Sequence, residues 1–304
     1  MRVIHEGHEG HKGRERHERH ERHERHERHE RHERHKRHER HKRRERLMKR
    51  LGHPKYCHLC GRRLWVRGWV YGAEEGNEPP LVLCTRCHRT APRCDVCGMP
   101  MGPNSIPLPD GRRICPVCAR TAITDPQIAR ELFAQTSAFI TGQLGLDLRI
   151  GTDFTLVDVG HLRRLVAESP TRPIEDPDRV VGLFLRKGRR RVMAVLSGLP
   201  RVLFIQTVAH EWAHAWQGEN CPLLEDPLLR EGFAEWVAYR TLLALGAADP
   251  AARMLQRNGP YGEGLRRILQ LEKQIGPAGI LQLCARGALD SIGNRTQMNA
   301  DERR

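Results

Sequence analysis

Apolar residues recur at regular intervals mainly from about residue 124 onward. The stretch "DPQIARELFAQTSAFITGQLG" (125–145) has helical periodicity, with an Asp-Pro start and a terminal glycine that are typical of helix ends. "FTLVDV" (154–159) predicts a strand. "VVGLFLRKGRRRVMAVLS" (180–197) predicts two strands joined by a tight turn at Lys187-Gly188.

Helices dominate the chain after these strands. One helix of about 17 residues is predicted after Pro200, and a second begins near Asp226 and ends at Gly246. Two or three more fill residues 249–290. Residues 121–304 are long enough to bury a core of their own, and the small group of strands among helices predicts an α+β domain.

The first 50 residues have no such periodicity. From Arg16 to Arg46 the sequence repeats R-H-E, and no apolar residue stands between Ile4 and Leu47. Residues 1–50 are therefore predicted to be a low-complexity tail that adds nothing to a core. A metal- or polyanion-binding arm is the alternative, and Met48 is an alternative start of translation.

Charge and composition narrow the class of protein. About half of the net charge of +15 belongs to the tail, so it says little about a folded surface. A basic tail binds phosphates without specificity, and no aromatic residues are interleaved with it, so nucleic acid is expected to bind only non-specifically if at all. No run approaches the 18 apolar residues of a membrane span, and the N-terminal residues lack the short apolar core of a secretory signal, which predicts a cytoplasmic protein without membrane contact.

Eight of the ten cysteines stand in four CxxC pairs. Two CxxC turns supply the four thiolates of one closed tetrahedral zinc site, so four pairs predict two structural zinc ions. Disulfides are the alternative, but the predicted compartment is reducing. Residues 51–120, rich in Cys, Gly and Pro, are therefore predicted to be a small fold organised by metal. Cys221 and Cys284 lie outside the pattern and are interpreted as core residues.

The spacing of these pairs resembles that of a LIM domain. Twenty-three residues separate Cys60 from Cys84 and seventeen separate Cys97 from Cys115, but six separate Cys87 from Cys94, where LIM modules usually have two. The wider hinge leaves open whether His88 replaces Cys87 as a ligand. LIM fingers take consecutive pairs, which implies one zinc on Cys57, Cys60, Cys84 and Cys87 and another on Cys94, Cys97, Cys115 and Cys118. A cross-braced grouping is the alternative. The resemblance implies a module that binds protein.

The stretch "HEWAH" (210–214) has the chemistry of a catalytic zinc site. Residues four apart share one face of a helix, so His210 and His214 are predicted to hold one zinc ion while Glu211 acts as general base on a water. A catalytic zinc needs a third protein ligand and an open position. Glu231, separated from His214 by sixteen residues, is the candidate ligand, and Glu235 follows one turn later, where it would orient His210.

Two further roles are less specific. Tyr239 would polarise a substrate carbonyl, but a structural tyrosine is the favoured interpretation. The strand "VMAVLS" (192–197), just before the motif, is predicted to be a sheet edge that pairs with extended substrate.

Several motifs together resemble the LIM-domain peptidases of the plant organ-growth regulator type (DA-one-like proteins). The match runs from about Tyr56 to Gln282 and rests, besides the cysteine pairs, on "LPDGRRICPVCARTA" (108–122), "VLSGLPR" (195–201), "AHEWAHAW" (209–216), "EGFAEWVAY" (231–239) and "YGEGLRRI" (261–268). The resemblance implies a gluzincin-like zinc peptidase domain behind a LIM-like module, with one catalytic and two structural zinc ions, and the compact architecture suggests a prokaryotic relative. The resemblance also implies protein substrates and a protein partner that binds the LIM-like module.

Two other classes stay open. In the first, the chain is a protein-binding adaptor whose peptidase fold has lost turnover. In the second, it is a nucleic-acid-associated factor that uses its basic tail. The presence of every catalytic residue type favours the enzyme.

Overall fold

The computed structural model describes residues 56–64, 68–71, 80–169, 180–187 and 190–286. The predicted tail and the predicted Lys187-Gly188 turn lie wholly or partly outside these residues. Contacts divide the chain into two compact units. The first holds residues up to Pro92 together with Met99–Gly102, and the second holds Arg93–Gly98 and the chain from Pro103 onward. The predicted domain limits at residues 50 and 120 stay a prediction.

The first unit is a small zinc-finger-like fold. Strands β1 (Trp69–Tyr71) and β2 (Leu81–Leu83) pair antiparallel, and helix α1 (Thr85–Thr90) follows directly. Cys84 begins that helix, and its sulfur accepts a hydrogen bond from the Cys87 backbone N–H. Leu83 is fully buried beside the cysteines, so the apolar core of this unit is only a few residues.

The second unit opens with a similar hairpin, which we call the second finger. It consists of β3 (Ile106–Pro107), β4 (Arg113–Ile114) and the short helix α2 (Pro116–Ala119). The chain then forms β5 (Ala122–Ile123), which pairs antiparallel with β9 (Leu199–Pro200). Because β9 directly precedes the helix that carries the HEWAH motif, this pairing joins the second finger to that helix.

The main sheet has three strands in the order β6 (Asp153–Val157), β8 (Arg190–Leu196) and β7 (Gly182–Lys187). β6 runs parallel to β8, and β7 runs antiparallel to it. The prediction that "VMAVLS" is an edge is therefore wrong, because β8 is bonded on both sides. β7, which pairs with β8 alone among the described strands, is the edge beside the motif.

Helices make up most of the rest of this unit, and the first three of them pack against the sheet. They are, in chain order, α3 (Pro126–Leu144), α4 (Val159–Ala167), α5 (Arg201–Asn220), α6 (Pro227–Ala244), α7 (Ala248–Leu255) and α8 (Pro260–Arg286). α3 starts and stops where the sequence predicts, with the Asp125 side chain capping its first turn and Gly145 in the left-handed conformation at its end. α8 is broken at Gly276, whose φ of +70° is not helical.

The core lies where α5 and α6 cross. Trp236, Phe233 and Phe204 are almost fully buried there, and most residues of both helices are inaccessible to solvent. The fold is thus a mixed α+β structure with small sheets, as predicted. Within the described residues no helix has the length and apolar character to cross a bilayer.

Candidate metal centres

Two clusters of four cysteines form in the grouping of consecutive pairs. The clusters are Cys57, Cys60, Cys84 and Cys87, and Cys94, Cys97, Cys115 and Cys118. Within each cluster the sulfur atoms lie within 4.8 Å of one another, close enough to share one tetrahedral ion. Both clusters suit structural zinc and are compatible with a LIM-like module.

The electrostatics of the first cluster also favour a cation. Burial opposes ionisation of Cys57, but backbone hydrogen bonds from Cys84, Cys60 and Leu59 lower its pKa to about 6. Burial and the neighbouring sulfur atoms raise the pKa of Cys87 to about 12. Four thiols this close cannot all ionise without a positive charge among them, and Zn²⁺ supplies that charge.

His88, the alternative ligand, is engaged elsewhere. Its ring stacks on Trp69 with centroids 3.5 Å apart, and its Nδ1 is hydrogen-bonded to the Tyr71 hydroxyl. Cys87 is the residue that completes the cluster.

The second finger is braced against the start of α4 and against the turn at Ser197 that precedes β9. Asp110 accepts hydrogen bonds from Arg112 Nε at 2.9 Å and from the Val159 backbone N–H at 3.2 Å. Arg112 Nη2 in turn donates to the Ser197 carbonyl at 2.5 Å. Both side chains of the Asp110–Arg112 pair are about nine-tenths buried. The burial would raise the pKa of Asp110, but these hydrogen bonds lower it, so the pair stays charged.

A third cluster joins α5 to α6. His210 Nε2 and His214 Nε2 lie 3.0 Å apart, and Glu231 Oε2 lies 3.5 Å and 3.4 Å from them. Two ligand atoms of one tetrahedral zinc, each about 2.1 Å from the ion, are roughly 3.3 Å apart. The three side chains are therefore arranged as ligands of a single ion, and within the described residues no fourth His, Cys, Asp or Glu belongs to the group.

The pKa shifts at this cluster also favour a bound cation. Burial disfavours a charged His210, but the carboxylates of Glu231 and Glu235 raise its pKa to about 10. The two histidines lower the pKa of Glu231, which would otherwise rise on burial. Without a metal, a proton on the His210 imidazole offsets part of the charge of the carboxylates. With zinc bound, the ion takes over that role and the imidazoles are neutral ligands.

Each histidine is held from behind by a buried polar side chain. Glu235, only 3% exposed, places Oε1 3.2 Å from His210 Nδ1 and is itself paired with Arg257 at 3.2 Å. Gln217 Oε1 accepts from His214 Nδ1 at 2.9 Å, and its Nε2 donates to the Arg230 carbonyl. Both contacts point Nε2 of each ring toward Glu231. The Glu235 contact lies where the sequence places it, whereas Gln217 and Arg257 were not predicted.

Glu211 faces the edge strand. Its Oε2 accepts a hydrogen bond from the Phe184 N–H at 2.9 Å. Gly182 makes this approach possible, because a Cβ there would lie 2.3 Å from Thr207 Cγ2 and 3.2 Å from Glu211 Cγ. The Glu211 carboxylate thus lies between α5 and the free edge of β7.

Of the two tyrosines in this region, only Tyr261 is beside the cluster. Its ring centroid lies 5.9 Å from that of His210, and it is 46% exposed. Burial and nearby Glu231 raise its pKa, so the hydroxyl keeps its proton. Tyr239 packs against the apolar core instead.

A glycine pair brings Tyr261 to this position. A Cβ on Gly232 would lie 2.6 Å from the carbonyl carbon of Gly264, and one on Gly264 would lie 2.7 Å from the Gly232 Cα. α6 and α8 therefore touch backbone to backbone. Sequence periodicity could not find this contact, although both glycines stand in motifs that the resemblance uses.

Comparison with known proteins gives one relative. Protein DA1-related 2 of Arabidopsis thaliana is 28% identical in an alignment of 177 positions, which covers 49% of this chain and 34% of the relative. The chain therefore covers about a third of that protein's length. No family model and no solved structure matches. The similarity suggests a DA1-like relation, and a match to a plant protein gives no support to the predicted prokaryotic origin.

Proposed function

We propose that this protein is a gluzincin-type zinc peptidase that hydrolyses peptide bonds of protein substrates. The observation that carries the proposal is the convergence of His210, His214 and Glu231 on one point, with Glu211 beside them. Bound zinc would act as a Lewis acid and lower the pKa of its water toward 7.

The chain's own residues account for the rest of the reaction. Glu211 takes the proton of the attacking water as a C–O bond forms at the peptide carbonyl. The same carboxyl then gives the proton to the departing amine as the C–N bond breaks. Tyr261 keeps its hydroxyl proton and lies where it would donate to the carbonyl oxygen. Gln217 keeps His214 in the tautomer that leaves Nε2 free, and the Glu235 carboxylate faces Nδ1 of His210.

The edge of β7 supports a peptide as the substrate. The Val181 carbonyl accepts a hydrogen bond from a backbone N–H of β8. Because the direction of the backbone groups alternates along a strand, those of Gly182 and Phe184 point to the free edge. An extended peptide laid along that edge would gain main-chain hydrogen bonds next to Glu211. We therefore infer that the substrate is an unfolded or extended protein segment, and that the LIM-like module binds a protein partner.

The direct test uses purified, zinc-loaded protein and an unfolded, labelled protein such as casein. We expect new N-termini, identified by mass spectrometry, that disappear with a chelator and return with added zinc. His210→Ala is the control that should yield none. If the zinc-loaded wild type produced no more new N-termini than this variant, the hypothesis of a protein-binding adaptor would replace that of an enzyme.

Zinc content is expected to be three ions per chain. Each cysteine cluster closes one site and the His-His-Glu cluster forms the third. Elemental analysis after zinc-replete expression measures this number. His210→Ala should retain two ions, and a wild-type content of two would remove one of the proposed sites.

Gly182→Ala is expected to lower kcat/KM by about 10–100-fold, the scale of a misplacement near 1 Å. The added methyl displaces β7 from Thr207 and Glu211, while the three zinc ligands are untouched, so zinc content should not change. Gly218→Ala is the matched control, because its Cβ meets nothing within 4 Å. Equal kinetics for the two variants would show that the edge strand has no part in catalysis.

A further inference from the structure

The two cysteines outside the metal clusters face each other in the core. The sulfur atoms of Cys221 and Cys284 lie 3.2 Å apart, and the residues are 6% and 1% exposed. Cys221 is the residue at which α5 ends, and Cys284 lies on the part of α8 beyond the break at Gly276. The pair therefore connects the end of the HEWAH helix to the last described segment of the chain.

Metal binding does not explain this pair. Two thiolates are half of a closed zinc site, and among the described residues neither cysteine belongs to a group of three or more metal-binding side chains. Ordinary apolar packing does not explain it either, since the two sulfur atoms point at each other. The neighbouring Cys284 thiol also lowers the pKa of Cys221, while its own pKa is raised. One thiol is thus better prepared to ionise than the other, as in pairs that exchange disulfides.

The pair lies next to the third metal cluster. Gln217 Nε2 is 3.8 Å from Cys284 Sγ, and the same side chain holds His214 through its oxygen. A covalent bond between the sulfur atoms, about 2.05 Å long, brings them roughly 1.1 Å closer and moves atoms that Gln217 contacts.

We propose that Cys221 and Cys284 are a reversible dithiol that a hydroperoxide converts to a disulfide. The Cys221 thiolate attacks the terminal oxygen of the hydroperoxide, the O–O bond breaks, and an alcohol (or water, from hydrogen peroxide) leaves with a proton. Cys284 sulfur then attacks the resulting sulfenic acid, the S–S bond forms and water leaves. Two thiols and one hydroperoxide thus give one disulfide, one alcohol and one water. A small thiol reverses the change by exchange.

The disulfide closes a loop of 62 intervening residues, and this loop contains Glu231 and Tyr261. Loops of that size restrict the unfolded chain strongly. We expect oxidation of this pair to raise Tm by about 5–10 °C. The inference does not depend on peptidase activity.

The experiment treats the full, zinc-loaded chain with hydrogen peroxide, blocks remaining thiols with iodoacetamide under denaturing conditions, and digests it with trypsin. The expected product is a linked pair of peptides, 202–230 and 274–286, two hydrogens lighter than their sum, which separates after reduction. Tm is measured before and after treatment. Cys284→Ala is the control, because its eight finger cysteines face the same oxidant while Cys221 lacks a partner.

Two results would overturn the proposal. One is recovery of Cys221 and Cys284 with iodoacetamide adducts from peroxide-treated wild type. The other is a Tm change that is the same in wild type and in Cys284→Ala. If the variant does not fold, the peptide masses from wild type decide alone. Absence of proteolysis with a formed disulfide would count against the proposed function and not against the thiol pair.

Discussion

Glu211→Gln is expected to lower turnover of a protein substrate by a factor of about 10²–10⁴ and to leave zinc content unchanged. Glutamine keeps the length of the side chain and an oxygen that accepts the Phe184 N–H, but it cannot take a proton from water. The metal remains because its three ligands are His210, His214 and Glu231 in the proposed site. Turnover is measured with the labelled substrate and zinc by elemental analysis of the same sample.

Two variants make this result specific. Glu231→Gln weakens a metal ligand, so zinc content and activity should fall together, and His210→Ala should lose both more completely. A Glu211→Gln protein that cleaved as fast as wild type would exclude this residue as the base. A zinc loss equal to that of His210→Ala would instead make Glu211 a ligand.

Cys94→Ser is expected to unfold the second finger and to destabilise the unit that contains the HEWAH helix. Structural zinc contributes about 10–16 kcal/mol to the folding of small fingers. Without the finger, the Asp110–Arg112 pair no longer reaches Val159 and Ser197. Breaking a buried, hydrogen-bonded pair costs about 3–5 kcal/mol, so Tm of this unit should fall by about 10 °C. Calorimetry and zinc analysis measure both effects.

Cys57→Ser provides the comparison, because it removes a ligand of the cluster in the other compact unit. It should also lose one zinc ion, but the melting of the HEWAH unit should stay near that of wild type. Equal losses of Tm in the two variants would show that the bracing by Asp110 and Arg112 contributes nothing of its own.

Local sequence patterns predict those features of the fold that depend on interactions between neighbouring residues. Asp125, Pro126 and Gly145 delimit α3 because capping and left-handed conformations depend on the residue itself. The spacing of four between His210 and His214 likewise places them on one helix face. α4 was not predicted, because Asp158 caps that helix and was counted as part of the preceding strand.

Contacts between distant segments could not be predicted in the same way. Whether β8 is central or an edge depends on which strands lie beside it, and its own alternation is the same in both cases. Tyr261 approaches His210 from α8, and Arg257 approaches Glu235 from the segment between α7 and α8, so both contacts depend on how distant segments pack. Gln217 was detectable in principle, since a position three beyond His214 lies on the same helix face.

The backbone contact between Gly232 and Gly264 affects how kinship with this chain can be judged. One glycine stands in "EGFAEWVAY" and the other in "YGEGLRRI", which are some thirty residues apart in the sequence but touch in space. A side chain at either position forces the other helix to move, so replacing one glycine removes the steric reason for keeping the other. Distant relatives that share both glycines therefore share one constraint, and relatives whose helices cross farther apart can retain the zinc ligands while lacking both.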